Sequence, residues 1–175
     1  MRFYEYESKA LFARHGLPLG ERRVVGSADE ARAAARELGC PVVLKSQVLS
    51  GGRMKAGAVR FAEGPDQAAQ CFEAILPIRV RGEAARSVLV ERKQPVAQEY
   101  YVGVTWDGRA KLPVIVFSDM GGIDVEEVAQ THPDHVSKTH VSTLLPFTPR
   151  LAKEAVAPEQ RLGLVLVEAH RHLLG

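Results

Sequence analysis

The sequence lacks the features of membrane-spanning, exported and nucleic-acid-coating proteins. None of its 175 residues belongs to an apolar run near the roughly 18 residues that a membrane helix needs. The opening residues, Met1 to Tyr6, contain no apolar stretch of the signal-peptide kind. The formal net charge is only +2, which gives no case for non-specific nucleic-acid binding. We therefore expect a cytoplasmic protein with no membrane and no nucleic-acid partner.

Cysteine is scarce, and two common phosphate-binding signatures are absent. Cys40 and Cys71 are the only cysteines, and their spacing fits neither a zinc site nor a disulfide framework. We expect both to be buried thiols in a reducing cytosol. The sequence contains neither G-x-x-x-x-G-K-[ST] nor G-x-G-x-x-G. A phosphate site in this chain would therefore need a different glycine pattern.

A basic, glycine-rich loop does lie between two strand-like runs, over residues 42–61. Val42 to Leu44 are apolar, and the apolar pattern resumes from Val59 to Phe61. Between them lie three glycines and three cations: Gly51, Gly52, Gly57, Lys45, Arg53 and Lys55. Glycine lets the backbone approach a ligand, and lysine adds a compact positive charge. The pattern suits a polyphosphate, but the residues alone favour a solvated basic hairpin turn equally.

The first half of the chain predicts an α/β lobe. The predicted order is β-α-β-β-α-β between residues 22 and 91. Its signals include a capping box at Ser27 and Glu30, and a helix opened by Gly64-Pro65. A preceding helix over residues 4–15 has Tyr6, Ala10, Leu11 and Ala13 for one face. We therefore divide the chain into a lead-in (1–21), this lobe (22–95) and a further region (96–175).

The second half predicts a hairpin followed by helices. Strands over residues 100–106 and 111–117 are joined by Asp107-Gly108, a strong hairpin signal. Helices are predicted to begin at Asp124 (with Glu127 as its capping partner), at Thr148-Pro149 and at Pro158, the last running to Leu174. We interpret Trp106 as a packing residue rather than a stacking platform. We interpret His132, His135 and His140 as an exposed loop rather than a metal or phosphate site.

Four stretches of the sequence, in order, resemble one family. Residues 4–12 resemble H-E-Y-Q-A-K-x-L-F, 45–57 resemble K-x-Q-V-x-x-G-G-R-G-K-A-G, 88–91 with 98–103 resemble L-V-E and K-E-x-Y-x-G, and 121–129 resemble G-G-V-x-I-E-x-V-A. Together they resemble the N-terminal ATP-grasp region of the succinyl-CoA synthetase β subunit, truncated relative to it. The resemblance implies an α/β, ATP-grasp-like fold with a complete small lobe and a partial large lobe.

The resemblance also implies a nucleotide site for ATP or GTP, or for ADP or GDP, without a catalytic residue of its own. Lys45 matches a phosphate contact, Gly52, Arg53 and Met54 match the glycine loop, Glu91 and Gln94 match hinge positions near the base, and Glu99 matches a ribose contact. Lys45 can offset phosphate charge, and a carboxylate can accept hydrogen bonds from ribose hydroxyls.

The sequence departs from the family pattern at several positions. Met54 and Ala58 replace loop glycines, Leu49 replaces a common histidine, and Met120 replaces a glutamate. A side chain at Met54 would either hinder backbone approach or demand an unusual φ. The family uses Mg²⁺, whose ligands are expected beyond Gly175, and no Glu-x-Asn occurs in this sequence. We therefore predict no metal ligand in this chain.

The sequence leaves open whether the chain takes part in catalysis. On the first hypothesis it is the nucleotide-binding portion of an ADP- or GDP-forming acid–CoA ligase of the tricarboxylic acid cycle type. Activity then needs an α-type CoA-ligase subunit, or another chain that completes the fold. On the second it is a non-catalytic paralogue, a nucleotide sensor or interaction subunit. A third hypothesis is a structural remnant whose uncovered sheet edge forms a homo-oligomer.

Overall fold

The computed structural model describes residues 2–156, and the chain divides into two compact units. The first unit is Met1–Pro95 and the second is Val96–Gly175. The helix predicted from Pro158 to Leu174 lies outside the described residues.

Over its described residues, 2–95, the first unit contains three helices and six strands. They are α1 (Glu5–Arg14), β1 (Arg22–Val25), α2 (Ala28–Leu38), β2 (Val42–Ser46), β3 (Val59–Ala62), α3 (Pro65–Ile75), β4 (Arg79–Val80), β5 (Glu83–Ala84) and β6 (Val88–Arg92). Strands β1, β6, β2 and β3 form one sheet in that order, with every pairing antiparallel. The β-α-β-β-α-β order predicted from the sequence is therefore present.

The small hairpin of β4 and β5 was not predicted. Its turn residues, Arg81 and Gly82, have φ values of 50° and 85°, as a two-residue turn of type I′ requires. Arginine is not among the residues that normally signal such a turn, so local turn chemistry did not indicate it.

Helices α2 and α3 pack on one face of the four-stranded sheet. Small side chains such as Ala31, Ala35 and Ala68 are fully buried there, which lets the helices approach the sheet closely. The sheet contributes alternate residues to this core, including Leu44 and Val90. Because side chains alternate along a strand, the neighbours of Leu44 along β2 and of Val90 along β6 face the opposite side of the sheet.

The helix signals of the first unit are largely confirmed. The Ser27 hydroxyl accepts a hydrogen bond from the Glu30 amide, as a capping box requires. The return bond differs, since the Gly26 amide rather than the Ser27 amide donates to Glu30. The predicted apolar face of α1 is wrong as a packing face: no residue of α1 is buried, and Leu11 is 42% exposed.

The described part of the second unit, residues 96–156, contains a three-stranded antiparallel sheet and two α-helices. They are β7 (Tyr101–Asp107), β8 (Leu112–Ser118), α4 (Val125–Thr131), β9 (Val136–His140) and α5 (Pro149–Val156). The strand order is β7-β8-β9, and the predicted hairpin pairs Tyr101 with Ser118 and Asp107 with Leu112. Strand β9 was missed, because Val136–His140 has no apolar alternation that marks a strand.

Three interpretations of single residues change in the structure. His140 lies in β9 and not in a loop, whereas His135 closes a short 3₁₀ turn. Trp106, expected to pack, is 59% exposed on the edge strand. Cys71 is buried as expected, but Cys40 is exposed, because it follows the end of α2 at the surface. Across residues 2–156, no helix combines the length and the apolar character needed to cross a membrane.

Candidate functional site

Lys45 and Glu91 lie together on the sheet face opposite α2 and α3. In the register of β2 with β6, Val43 pairs with Glu91 and Lys45 pairs with Leu89. Paired residues point to the same side of a sheet, so these four share one face. The Lys45 Nζ atom lies 2.8 Å from Glu91 Oε2. Two side chains that the sequence predicts as site residues are thus brought into direct contact.

Helix α1 adds two more charges to this pair. The Lys9 Nζ atom lies 2.5 Å from Glu91 Oε1 and 2.8 Å from Glu5 Oε1. The Glu5 Oε1 atom is also 3.0 Å from Lys45 Nζ. Each lysine therefore bridges the same two carboxylates, which forms a closed ring of four alternating charges. We call Glu5, Lys9, Lys45, Glu91 and the adjacent Arg53 the charge cluster.

Arg53 joins the charge cluster from the glycine loop. Its Nη2 atom lies 2.6 Å from Glu5 Oε2, and its Nη1 atom donates a 3.2 Å hydrogen bond to the Ser46 carbonyl. The side chain is only 25% exposed. The guanidinium group is therefore held at the end of β2, beside the Lys45 ammonium group.

Burial and charge act in opposite directions on the cluster, and charge prevails. Burial alone raises the pKa of Glu5, but the hydrogen bond from Lys9 and the positive charges of Lys45, Arg53 and Lys9 lower it from its ordinary 4.5 to about 2. Burial alone lowers the pKa of Lys45, but its bond to Glu91 and the charges of Glu5 and Glu91 raise it above its ordinary value. Both groups are therefore charged at neutral pH.

Gln47 fixes the position of α1 against β2. Its side chain is 2% exposed, and its amide group donates a 3.0 Å bond to the Lys45 carbonyl. Its side-chain oxygen accepts a 3.3 Å bond from the Tyr6 amide, in the first turn of α1. First-turn amides have no partner within their own helix, so this bond satisfies one of them. The approach of Glu5 to Lys45 is thereby set by a buried amide.

The glycine loop folds back on itself between β2 and β3. Gly52 and Gly57 have φ values of 91° and 74°, which favour glycine. The Ala58 amide donates to the Arg53 carbonyl at 2.9 Å, which closes the loop. Met54 is not among the described residues with positive φ, so it causes no strain of that kind, and its side chain is 64% exposed.

The hairpin of β4 and β5 anchors the start of the glycine loop. The Glu83 carboxylate accepts bonds of 2.8 Å from the Leu49 amide and 3.1 Å from the Ser50 amide. The Leu49 bond and the bonds from Ser50 outweigh burial and lower the pKa of Glu83. A histidine at position 49 is not needed for this contact, because the backbone makes it.

Gln94 and Glu99 are not among the five residues that form the charge cluster. Gln94 is exposed beyond the end of β6, beside Gly20: a Cβ atom added at Gly20 would lie 3.3 Å from the Gln94 side-chain nitrogen. Glu99 belongs to the second unit. Its carbonyl accepts a 3.0 Å bond from the Gly121 amide, and a Cβ atom added at Gly121 would lie 2.5 Å from the Glu99 carbonyl carbon. Gly121 therefore permits the loop to pack directly against Glu99.

The arrangement suits phosphate better than a metal ion. Lys45 and Arg53 offer a compact ammonium group and a planar fork, both effective with phosphate oxygens. Within the described part of the chain, no three His, Cys, Asp or Glu side chains are grouped so that they could hold a metal ion. The two carboxylates of the charge cluster, Glu5 and Glu91, are both paired with lysines, so the cluster suits an anion better than a magnesium ion.

The sequence reasoning missed the roles of Glu5 and Lys9. An available signal was their i,i+4 spacing with the glutamate first, which is typical of a helical ion pair. Such pairs usually lie on a solvated helix surface, so the spacing alone does not indicate contact with Lys45. The contact of Lys9 with Glu91 joins residues 82 positions apart.

The chain belongs to the ATP-grasp domain family, whose sequence profile matches residues 2–169. The predicted ATP-grasp class is thereby confirmed. The antiparallel sheet under α2 and α3 and the separate second unit agree with that class.

Curated relatives confirm the resemblance to one kind of ligase subunit. The chain is 39% identical over 169 residues to the β subunit of an ADP-forming succinate–CoA ligase from Methanocaldococcus jannaschii, covering 94% of this chain and 46% of the relative. It is 38% identical to the β subunit of a GDP-forming succinate–CoA ligase from Thermus thermophilus, covering 94% of this chain and 43% of the relative. The chain thus spans about half the length of these relatives.

Solved structures agree on the fold. A Pyrococcus horikoshii protein superposes with a TM-score of 0.69 at 28% identity, over 87% of this chain and 63% of that one. A dinucleotide-forming acetyl-coenzyme A synthetase from Ca. Korarchaeum cryptofilum, solved with coenzyme A and Ca-AMPCP, gives a TM-score of 0.68 at 23% identity, over 87% of this chain and 64% of that one. The second likeness concerns the fold alone.

Proposed function

We propose that this chain is the nucleotide-binding portion of an ADP- or GDP-forming acid–CoA ligase. The observation that carries the proposal is the meeting of Lys45 and Arg53, within 3.0 Å and 2.6 Å of one carboxylate, beside a loop with two left-handed glycines. A polyphosphate needs such cations and such a backbone. The relatives are named as β subunits of ADP-forming and GDP-forming ligases, and these names support the use of a nucleotide by this chain.

In this proposal each predicted residue has a distinct part. Lys45 and Arg53 bind phosphate oxygens, while the backbone at Gly52 and Met54 faces them. Glu91 and Gln94 are assigned to the base, and Glu99 stays the predicted ribose contact. Magnesium, the carboxylate substrate and coenzyme A would depend on residues other than those described, and an α-type subunit is the partner that we propose.

The test is calorimetric titration of the chain with ATP and with ADP, each with and without Mg²⁺. We expect micromolar binding that weakens about tenfold or more in Lys45→Ala, because a charge-assisted bond to phosphate is lost. Lys153→Ala, which removes an exposed lysine of α5, serves as the matched control and leaves the affinity unchanged. No binding of either nucleotide to a folded chain would overturn the proposal.

The alternative of a non-catalytic nucleotide sensor keeps the same site and differs in whether bound nucleotide is turned over. The replacement of a loop glycine by Met54 and of a glutamate by Met120 favours it. Mixing the chain with a succinate–CoA ligase α subunit separates the two hypotheses. Magnesium-dependent formation of an acyl-CoA supports the ligase, whereas nucleotide binding without turnover supports the sensor.

A further inference from the structure

Glu5 is the point at which three cations of the charge cluster converge. Its Oε1 atom contacts Lys9 and Lys45 at 2.8 Å and 3.0 Å, and its Oε2 atom contacts Arg53 at 2.6 Å. Its side chain is only 18% exposed. A carboxylate at this position is surrounded by the kind of groups that would surround a phosphate.

The contact between Glu5 and Arg53 is an ion pair without a well-directed hydrogen bond. Within the described residues, Glu5 Oε2 is a buried oxygen that accepts no hydrogen bond of acceptable geometry, despite its 2.6 Å separation from Arg53 Nη2. Buried acceptors without directed donors are unfavourable. The Arg53 guanidinium group would therefore form better bonds with a tetrahedral anion that presents several oxygens.

The charges of the cluster also favour exchange of one anion for another. Three cations and two carboxylates leave one net positive charge. A polyphosphate on Lys45 and Arg53 would lie beside the Glu5 carboxylate, and like charges in a partly buried site repel strongly. Glu91 can keep its two lysine contacts, at 2.5 Å and 2.8 Å, while Glu5 leaves.

We infer that the Glu5 carboxylate competes with the nucleotide's polyphosphate for Lys45 and Arg53, and so sets the affinity of the site. This inference rests on the proposed function and adds a residue of α1 to it. Glu5 is not itself a phosphate ligand. It pairs with the phosphate-binding cations, and its displacement is part of the cost of binding.

The experiment measures ATP, inorganic tripolyphosphate and adenosine binding to the full chain and to Glu5→Gln. We expect the variant to bind ATP and tripolyphosphate about tenfold more tightly, and adenosine with unchanged affinity, because only the phosphates meet the released cations. Glu73→Gln is the matched control. It removes the same charge from an exposed position on α3 and leaves all three affinities unchanged.

The outcomes separate this inference from the proposed function. If the parent chain binds ATP and Glu5→Gln binds it equally or more weakly, Glu5 positions the cations instead. The inference is then overturned, while the proposed function stands. If neither protein binds ATP or tripolyphosphate, the proposed function fails as well. Circular dichroism checks folding, and if Glu5→Gln does not fold, Glu5→Asp decides the matter. Its shorter side chain retreats from Arg53 and should tighten binding in the same direction.

Discussion

The sheet of the first unit has one face packed under α2 and α3 and charged side chains on the other. The sheet of the second unit leaves Val102, Val104 and Trp106 of its edge strand 61%, 70% and 59% exposed. In the first unit, fully buried residues such as Leu44 and Val88 lie on adjacent strands. The first unit therefore places its candidate site on a well-buried support, whereas the described second unit has a thinner core.

The largest expected contrast comes from paired substitutions in the two sheets. Leu44→Ala should lower the free energy of unfolding by about 2–5 kcal/mol, because it creates a cavity at a fully buried position. Val104→Ala, at a position that is 70% exposed, should change it by less than about 0.5 kcal/mol. Urea unfolding measures both. A comparable loss in Val104→Ala would show that another surface covers β7.

An acid titration tests how far the charge cluster stabilises the first unit. The pKa of Glu5 is lowered from 4.5 to about 2, so its contribution is fully present above pH 4.5 and is lost as the pH falls through about 2. The contribution is at most about 3 kcal/mol for a group this buried. Urea unfolding at several pH values should show a shallower acid loss in Glu5→Gln. Parallel curves for the two proteins would contradict the pairing.

A glycine substitution tests the second unit's support for Glu99. A Cβ atom in Gly121→Ala would lie 2.5 Å from the Glu99 carbonyl carbon and 2.6 Å from the Tyr100 amide nitrogen. Backbone must therefore move, which we expect to cost about 1–3 kcal/mol of stability. Gly108→Ala is the control, since its Cβ atom would meet nothing within 4 Å. Thermal unfolding compares the two variants. Equal unfolding temperatures would mean that the backbone at Gly121 moves to accept the Cβ atom without a cost in stability.

Much of the first unit could be predicted because its signals are local. Ser27 and Gly64 begin their helices where capping rules expect them. In the second unit the predicted hairpin forms, although Asp107 is the last paired residue of β7 and the turn begins at Gly108. The β4–β5 hairpin and β9 escaped prediction, since one has an arginine in its turn and the other lacks alternation. A helix or strand can therefore be predicted locally only when its residues include the usual capping residues, turn residues or apolar alternation.

The candidate site was also predicted in part, but from family motifs rather than from local folding signals. Lys45, Arg53 and Glu91 came from a resemblance to family motifs, and the structure brings them together through Glu5 and Lys9. Gln94 and Glu99 remain predictions: Gln94 is exposed beyond the end of β6, and Glu99 belongs to the second unit. Glu5 and Lys9 lie in a stretch that matches the family pattern, but the match by itself assigns them no role.

The sequence by itself determined the helix ends, the strand–loop–strand order that begins with Val42 to Leu44, and the glycine loop. Only the tertiary structure decided that α1 lies over β2 and β6. Helix α1 has no buried apolar stripe from which its packing could be predicted. Its position depends on the buried Gln47 amide and on two ion pairs. Glu5 pairs with Lys45, 40 positions along the chain, and Lys9 pairs with Glu91, 82 positions along the chain. Such contacts depend on the folded arrangement of the chain, because no local periodicity encodes them.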